Sequence, residues 1–507
     1  MSDPTNNEPR PPKGGGGRGG RRQLGDGEGW AGRVTVVPGP DGFAYVPGEV
    51  LSTDPERTLE VARRVFPRWD LRVVDPDDDA ELRDTPVRRL QGVPDVPRLV
   101  RELQAAGAPV QPNHVFFAHC AGGCCCGPHP ATRGCGGGAS ASPVYASPVY
   151  ASPVYASPVY ASPVYASPVY ASPVYASPVY ASPVYASPVY ASPVYASPVY
   201  ASPAEAGTGL RKSSARPVSD SQALDAAVEK LATAAASTTS SGEGPHVVVL
   251  DTGLPDRDGE HVSPALAGLP MVTHDFGPLD RPDQNGDDLL DPAAGHGSFI
   301  AGVIEQVAPG AVVESRAVIG PLGDATESAI AAAIGALDDP GDLGAVLNLS
   351  FGGQVMTEPG VLASAVGAAQ ERGYVVVASA GNDATCRPTY PAAFPGVVGV
   401  GAIGPGGPAP FTNYGPWVRA CAPGVDLVST LFRFTGAEEA LGTGSDPDDF
   451  DGWAVWSGSS FSAPVVAAAL VNHMRTHGVS AADAVARVID DPALLRLADL
   501  GTVINLA

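Results

Sequence analysis

Twelve unbroken copies of Ala-Ser-Pro-Val-Tyr run from Ala141 to Tyr200, and no packed core can include them. A proline at every fifth position removes a backbone donor, breaks helices and is excluded from central strands. The repeat also offers no charge and no long apolar face. It is expected to form an extended, polyproline-like tether, about 3.1 Å per residue and so roughly 180 Å at full stretch. The chain has 507 residues, enough for about three domains, but its 61 glycines and 53 prolines leave room for two folded units. The expected division is a Gly/Arg-rich arm over 1–30, a small α+β unit over 31–119, a Cys/Gly-rich segment over 120–140, the tether over 141–203, a linker with one helix over 204–243, and an α/β unit over 244–507.

In the C-terminal unit, four polar residues stand at the edges of apolar elements. Ser460, in Gly458-Ser459-Ser460-Phe461-Ser462-Ala463-Pro464, begins a buried helix, where unpaired N–H groups and the positive dipole end stabilise an oxyanion. HVVVLDTG is a short buried strand that puts Asp251 at its C-terminal edge, where catalytic groups gather in open α/β sheets. GHGSFIAGVIEQVAPG opens a helix with His296 in its first turn. YVVVASAGN is a further buried strand ending in a turn at Gly381-Asn382. Singly these residues read as a helix cap, a turn aspartate, a satisfied imidazole and a turn amide. Together they supply a nucleophile, a base, an orienting carboxylate and an oxyanion donor.

LDTG, GHGSFIAG with VAPGA, LNLSFGG, SAGN, TNYGPWVRACAPG and GSSFSAP stand in the order and at roughly the separations found in subtilisin-like serine proteases, the subtilases of peptidase family S8. The region from about Pro245 to Ala507 resembles that family. The resemblance implies a mostly parallel sheet with helices on both faces and a serine endopeptidase acting on protein or peptide substrates. Ser460 would attack the scissile carbonyl, His296 relay the proton, Asp251 orient the imidazole and Asn382 bind the oxyanion. The order Asp, His, Ser differs from that of an α/β-hydrolase, whose serine comes first in G-x-S-x-G. Two departures are visible: Ser298-Phe299 follows the histidine where Thr-His is usual, and Ser459-Ser460-Phe461 replaces Thr-Ser-Met. By the same resemblance Ser350, Gly352 and Gly353 line the cleft, and Ser379, Ala380 and Gly381 wall a roomy first specificity pocket suited to large apolar or aromatic side chains. Read from the residues alone, both stretches are equally ordinary strand-to-loop transitions.

The N-terminal unit alternates short elements. RVTVV and GFAYVPGEVLS read as strands, TLEVARRVF as a helix, VRRLQGV as a strand, VPRLVRELQAAG as a helix closed by Gly107, and PNHVFFAH as a last strand. That pattern predicts a small ferredoxin-like α+β domain. Its position, PGEVL and the ending QPNHVFF resemble the inhibitory prodomains of subtilases. The resemblance implies an intramolecular partner that lays its last strand into the active-site cleft of a self-inhibited precursor.

Lys+Arg 31 against Asp+Glu 54 gives a net charge of −23, which argues against nucleic acid as a partner. No stretch reads as a secretory signal or a membrane span, so a cytoplasmic location is expected. Cys120, Cys124, Cys125, Cys126, His129 and Cys135 have poor spacing for a zinc site; Cys386 and Cys421 complete the cysteines, expected reduced. The acidic stretches Asp283 to Asp291 and Asp446 to Asp451 are solvated loops or, by resemblance, structural calcium sites, though neither carries a loop motif. No cofactor or metal is required by the chemistry. SDSQALDAAVEKLATAAAS has a helical period. The repeats are a spacer or a series of Pro-Val-Tyr cleavage or docking sites. The rival reading of the whole is an idle subtilisin-fold scaffold whose repeats and cysteines mediate protein interactions.

Overall fold

The computed structural model describes residues 34–37, 42–118, 244–255, 261–267, 271–273, 280–283, 290–320, 322–435 and 449–504, with isolated positions between 215 and 229. The Gly/Arg-rich arm, the Cys120–Cys135 cluster, the pentapeptide repeats, nearly all of the linker helix and parts of both acidic stretches lie outside these residues.

The N-terminal unit consists of β1 (Thr35–Val37), β2 (Phe43–Ser52), α1 (Pro55–Val65), β3 (Arg72–Val73), β4 (Arg88–Gln91), α2 (Val96–Ala105) and β5 (Val110–Ala118). Each helix starts where the sequence provides a cap. Asp54 accepts from the Arg57 N–H at 2.9 Å and Asp95 from the Arg98 N–H at 3.0 Å, with proline in both first turns. The strands form an antiparallel sheet in the order β5-β2-β4-β3, with β1 on β2. With α1 after β2 and α2 after β4, and β1 added on β2, this is the split β-α-β arrangement of ferredoxin-like domains. Val61, Leu90, Leu99, Val100 and Leu103 form its buried core.

The C-terminal unit follows as β6 (His246–Asp251), α3 (Pro264–Ala267), β7 (Met271–Thr273), α4 (His296–Val307), β8 (Val312–Ala317), β9 (Asp324–Thr326), α5 (Glu327–Gly335), β10 (Ala345–Leu349), β11 (Phe351–Gly352), α6 (Gly360–Glu371), β12 (Tyr374–Ser379), β13 (Val398–Gly404), β14 (Gly407–Pro408), β15 (Val418–Pro423), β16 (Leu427–Thr435), β17 (Asp449–Trp456), α7 (Ser459–His477), α8 (Ala481–Val488), β18 (Arg496–Leu497) and β19 (Gly501–Val503). Its main sheet runs β18-β19-β15-β13-β12-β10-β6-β8-β7 and is parallel from β19 to β7. A parallel sheet is buried on both faces, which is why HVVVLD reads as a continuous apolar run. Val247 and Val249 pack toward α4 and α7, while Val248 and Leu250 pack toward α5 and α6. The fold is the α/β architecture expected from the sequence.

β5 joins the two units. Its first half pairs with β2, and its last residues lie antiparallel between β9 and β11: Val115, Phe116 and Phe117 face Thr326, Ala325 and Asp324, while Phe117 and Ala118 face Gly352 and Phe351.

Candidate active site

Asp251 ends β6, and His296 opens α4 after Gly295, whose φ of +79° is the left-handed conformation that glycine adopts without strain. Both side chains are fully buried, and His296 Nδ1 donates to Asp251 Oδ1 at 2.7 Å. The same carboxylate oxygen accepts from the Thr252 N–H at 2.8 Å. This leaves Nε2 of His296 buried with no hydrogen-bond partner. The ring is held on its other sides by Trp456, edge-on at 5.6 Å between centroids, and Phe461 at 5.1 Å. Phe299 and Phe461, the apolar members of the two departures from the family pattern, are fully buried and form an aromatic bed with Trp456.

Behind this pair stands Asp280. It accepts from the Thr252 hydroxyl at 2.7 Å and from the Gly295 N–H at 3.0 Å, while the Thr252 oxygen accepts from the Gly297 N–H at 3.0 Å. One carboxyl thus ties the turn after Asp251 to the start of the histidine helix. Burial pushes its pKa well above the ordinary 3.8, against the lowering effect of its two hydrogen bonds.

Ser460 lies in the first turn of α7, buried. Its hydroxyl donates to the Ser350 carbonyl at 2.7 Å, and the Ser350 hydroxyl donates back to the Ser460 carbonyl at 2.7 Å. The structure therefore brings Asp251 to His296 and Ser460 to Ser350, without a hydrogen bond between Ser460 and His296. Asn382 follows β12, and its Oδ1 accepts from the Ser459 N–H at 3.0 Å. Its Nδ2 is buried and unpartnered. Gly381 N–H donates to the Ser459 hydroxyl at 3.0 Å, so the hydroxyl kept at position 459 binds the turn that carries Asn382.

The sequence model of the subtilase family matches residues 242–490. The chain is 32% identical over 259 residues to a thermophilic serine proteinase of Bacillus sp. (strain AK1), an alignment covering 50% of this chain and 58% of that protein. It is 31% identical over 201 residues to subtilisin Savinase of Lederbergia lenta, covering 38% of this chain and 67% of that protein. This chain belongs to the subtilase family. It spans less than two thirds of the Bacillus proteinase's length. A solved cold adapted subtilisin-like serine proteinase matches with 23% identity and a TM-score of 0.38, covering 53% of this chain and 91% of that one.

The remaining expected residues of this subtilase lie around β5. Gly352 pairs with Phe117, and Ser350, two residues back and just before β11, is the residue that exchanges hydrogen bonds with Ser460. A Cβ on Gly353 would stand 3.1 Å from Phe116 and 3.2 Å from the Val115 carbonyl, so glycine admits the strand. Ser379 and Ala380 are fully buried at the end of β12. The turn they lead into is anchored by Asn413, whose Nδ2 donates to the Ala380 carbonyl at 2.9 Å and whose Oδ1 accepts from the Asp383 N–H at 2.8 Å. Asn413 lies in the TNYG motif, which carries the family signal without disclosing this job. Asp280 carried no signal, being one of several acids in a polar run. Among the described residues no group of three or more His, Cys, Asp or Glu converges as a metal site, and no helix is long and apolar enough to cross a membrane. Cys386 is exposed and Cys421 buried, both free thiols; burial pushes the Cys421 thiol up to about 11.

Proposed function

We propose that this protein is a serine endopeptidase in which Ser460 is the nucleophile, His296 the general base and acid, Asp251 the orienting carboxylate and Asn382 the oxyanion donor. The observation that carries this reading is the pair of buried, unpartnered nitrogens, His296 Nε2 and Asn382 Nδ2, each on a side chain whose other polar atom is held by a hydrogen bond. Other buried side chains among the described residues also carry such atoms, but these two are the nitrogens that acyl transfer uses. The Ser460 hydroxyl leaves the Ser350 carbonyl by rotation about Cα–Cβ and donates to Nε2. As Oγ bonds to the scissile carbonyl carbon, its proton passes to Nε2, and the carbonyl oxygen takes the negative charge facing Asn382 Nδ2. The imidazolium, stabilised by Asp251, then protonates the departing amine. Water, deprotonated by the same imidazole, hydrolyses the acyl-enzyme. No cofactor enters these steps.

The N-terminal unit acts as the inhibitor of its own peptidase. Its β5 occupies the groove as an extended peptide would, adding a strand between two edges. The inhibited chain frees itself by cutting beyond residue 118. A serine-directed fluorophosphonate should label the protein after the N-terminal unit is removed, and labelling should vanish in Ser460→Ala. No labelling of the freed wild-type protein would leave only an idle scaffold.

A further inference from the structure

Side chains along β5 alternate between two environments. Val115 and Phe117 pack with Ala44 of their own domain, whereas Phe116 and Ala118 join the peptidase core beside Ala325, Ile330 and Phe351. His114 shares the side of Phe116 and Ala118, as strand periodicity requires. It meets the first residue of α5: His114 Nδ1 donates to Glu327 Oε2 at 2.8 Å, with both side chains at 0% exposure. The other carboxylate oxygen of Glu327 accepts from the Gln111 amide at 2.7 Å and from the Leu362 N–H at 3.1 Å. Leu362 belongs to the peptidase. When β5 leaves, this backbone contact remains, so Oε1 is still anchored while Oε2 loses its imidazole. A fixed acceptor then stands at the mouth of the groove, one residue past the last rung, Thr326 with Val115.

We propose that Glu327 is a specificity-determining residue: in a substrate lying where β5 lies, it selects a hydrogen-bond-donating imidazole or cationic side chain two residues before the one that takes the place of Phe116. This rests on the peptidase reading above and adds a subsite beyond the rungs formed by β9 and β11. A neutral side chain there leaves a partly desolvated carboxylate without a donor, and an acidic one adds a like charge.

The test uses protein made as the full chain and freed of its N-terminal unit by cleavage beyond residue 118, shown to be active on a generic protein substrate. Three quenched-fluorescent peptides share Val-Phe-Phe-Ala, the sequence of residues 115–118, preceded by His, Ala or Glu. A hydrogen bond to a charged group predicts kcat/KM about tenfold higher for His than for Ala, with Glu lower still. In Glu327→Gln, which keeps an oxygen for the Leu362 N–H, the three values should draw together to within about twofold. Equal turnover of the three peptides by the wild-type protein, or failure to cut any of them while the generic substrate is cut, overturns the inference. A persistent ranking in Glu327→Gln also overturns it. A protein that stays inert toward every substrate after its N-terminal unit is removed refutes the peptidase reading, and this inference with it.

Discussion

Asn382 binds its own fold with one atom and leaves the other idle. Leaving a buried donor unpaired costs about 1–3 kcal/mol, so Asn382→Ala should relieve that cost while losing the Ser459 contact, and the protein should stay folded. Its kcat should nevertheless fall by about 10²- to 10³-fold, the effect of losing an oxyanion amide in the subtilisin family; steady-state kinetics beside a circular-dichroism melt separates the two. Asp280 gives a pH prediction. Its folded pKa is raised above 3.8 by burial, so the folded state holds the proton more tightly than the unfolded chain, and stability declines as pH rises from about 3.8 through the folded value. Asp280→Asn should flatten that decline in urea titrations across the same range. Asp251 and Asn382 stand out in the sequence because an apolar run stops at or just before each, and His296 and Ser460 because one begins there. The direction of the Ser460 hydroxyl was not legible, because a rotamer depends on neighbours that sequence spacing does not report.

Periodicity marked the elements well wherever burial was strong. HVVVLD and YVVVAS are strands at the expected places, and α4 begins at His296. TLEVARRVF underestimated α1, which starts at Pro55 because Asp54 caps it and proline suits a first turn. The hairpin of β16 and β17 escaped the reading, since thirteen residues (436–448) separate its paired ends and no tight-turn signal joins them. Yet that hairpin rests on the histidine helix: the Ser429 and Thr430 hydroxyls donate to the Phe299 and Ser298 carbonyls at 2.8 and 2.9 Å. Gly302 makes the contact possible, because a Cβ there would lie 2.4 Å from both hydroxyl oxygens and 3.0 Å from the Thr430 backbone nitrogen. Gly302→Ala should therefore destabilise the protein by about 1–3 kcal/mol, as overpacking does, despite alanine's better helix propensity; chemical denaturation gives the value.

Between the two units, polar contacts add to the apolar seam. Arg89 on β4 binds Glu49 at 2.5 Å, Asp79 at 2.9 Å and Glu81 at 2.6 Å, and reaches the Ser328 hydroxyl of α5 at 3.3 Å. Only 14% of its side chain is exposed. Arg89→Leu would leave three carboxylates facing one another, a loss of about 3–5 kcal/mol for a broken buried pair. The N-terminal unit should then loosen first, and its tryptic half-life should shorten before that of the peptidase. The ferredoxin-like order and the docking of PNHVFFA were both legible, the first from alternating periods and the second only through family resemblance. The Arg89 network was not, since its members are scattered surface-type charges in the sequence. A last consequence follows from β5 being one strand held between two edges. Strands lie about 4.8 Å apart, so the vacated slot separates β9 from β11 by roughly 10 Å of backbone spacing, while an α-helix with its side chains is about 10–12 Å across. The vacated slot thus has room for an extended chain and not for a helix, so a target of the proposed peptidase would have to come undone locally before it could be threaded through.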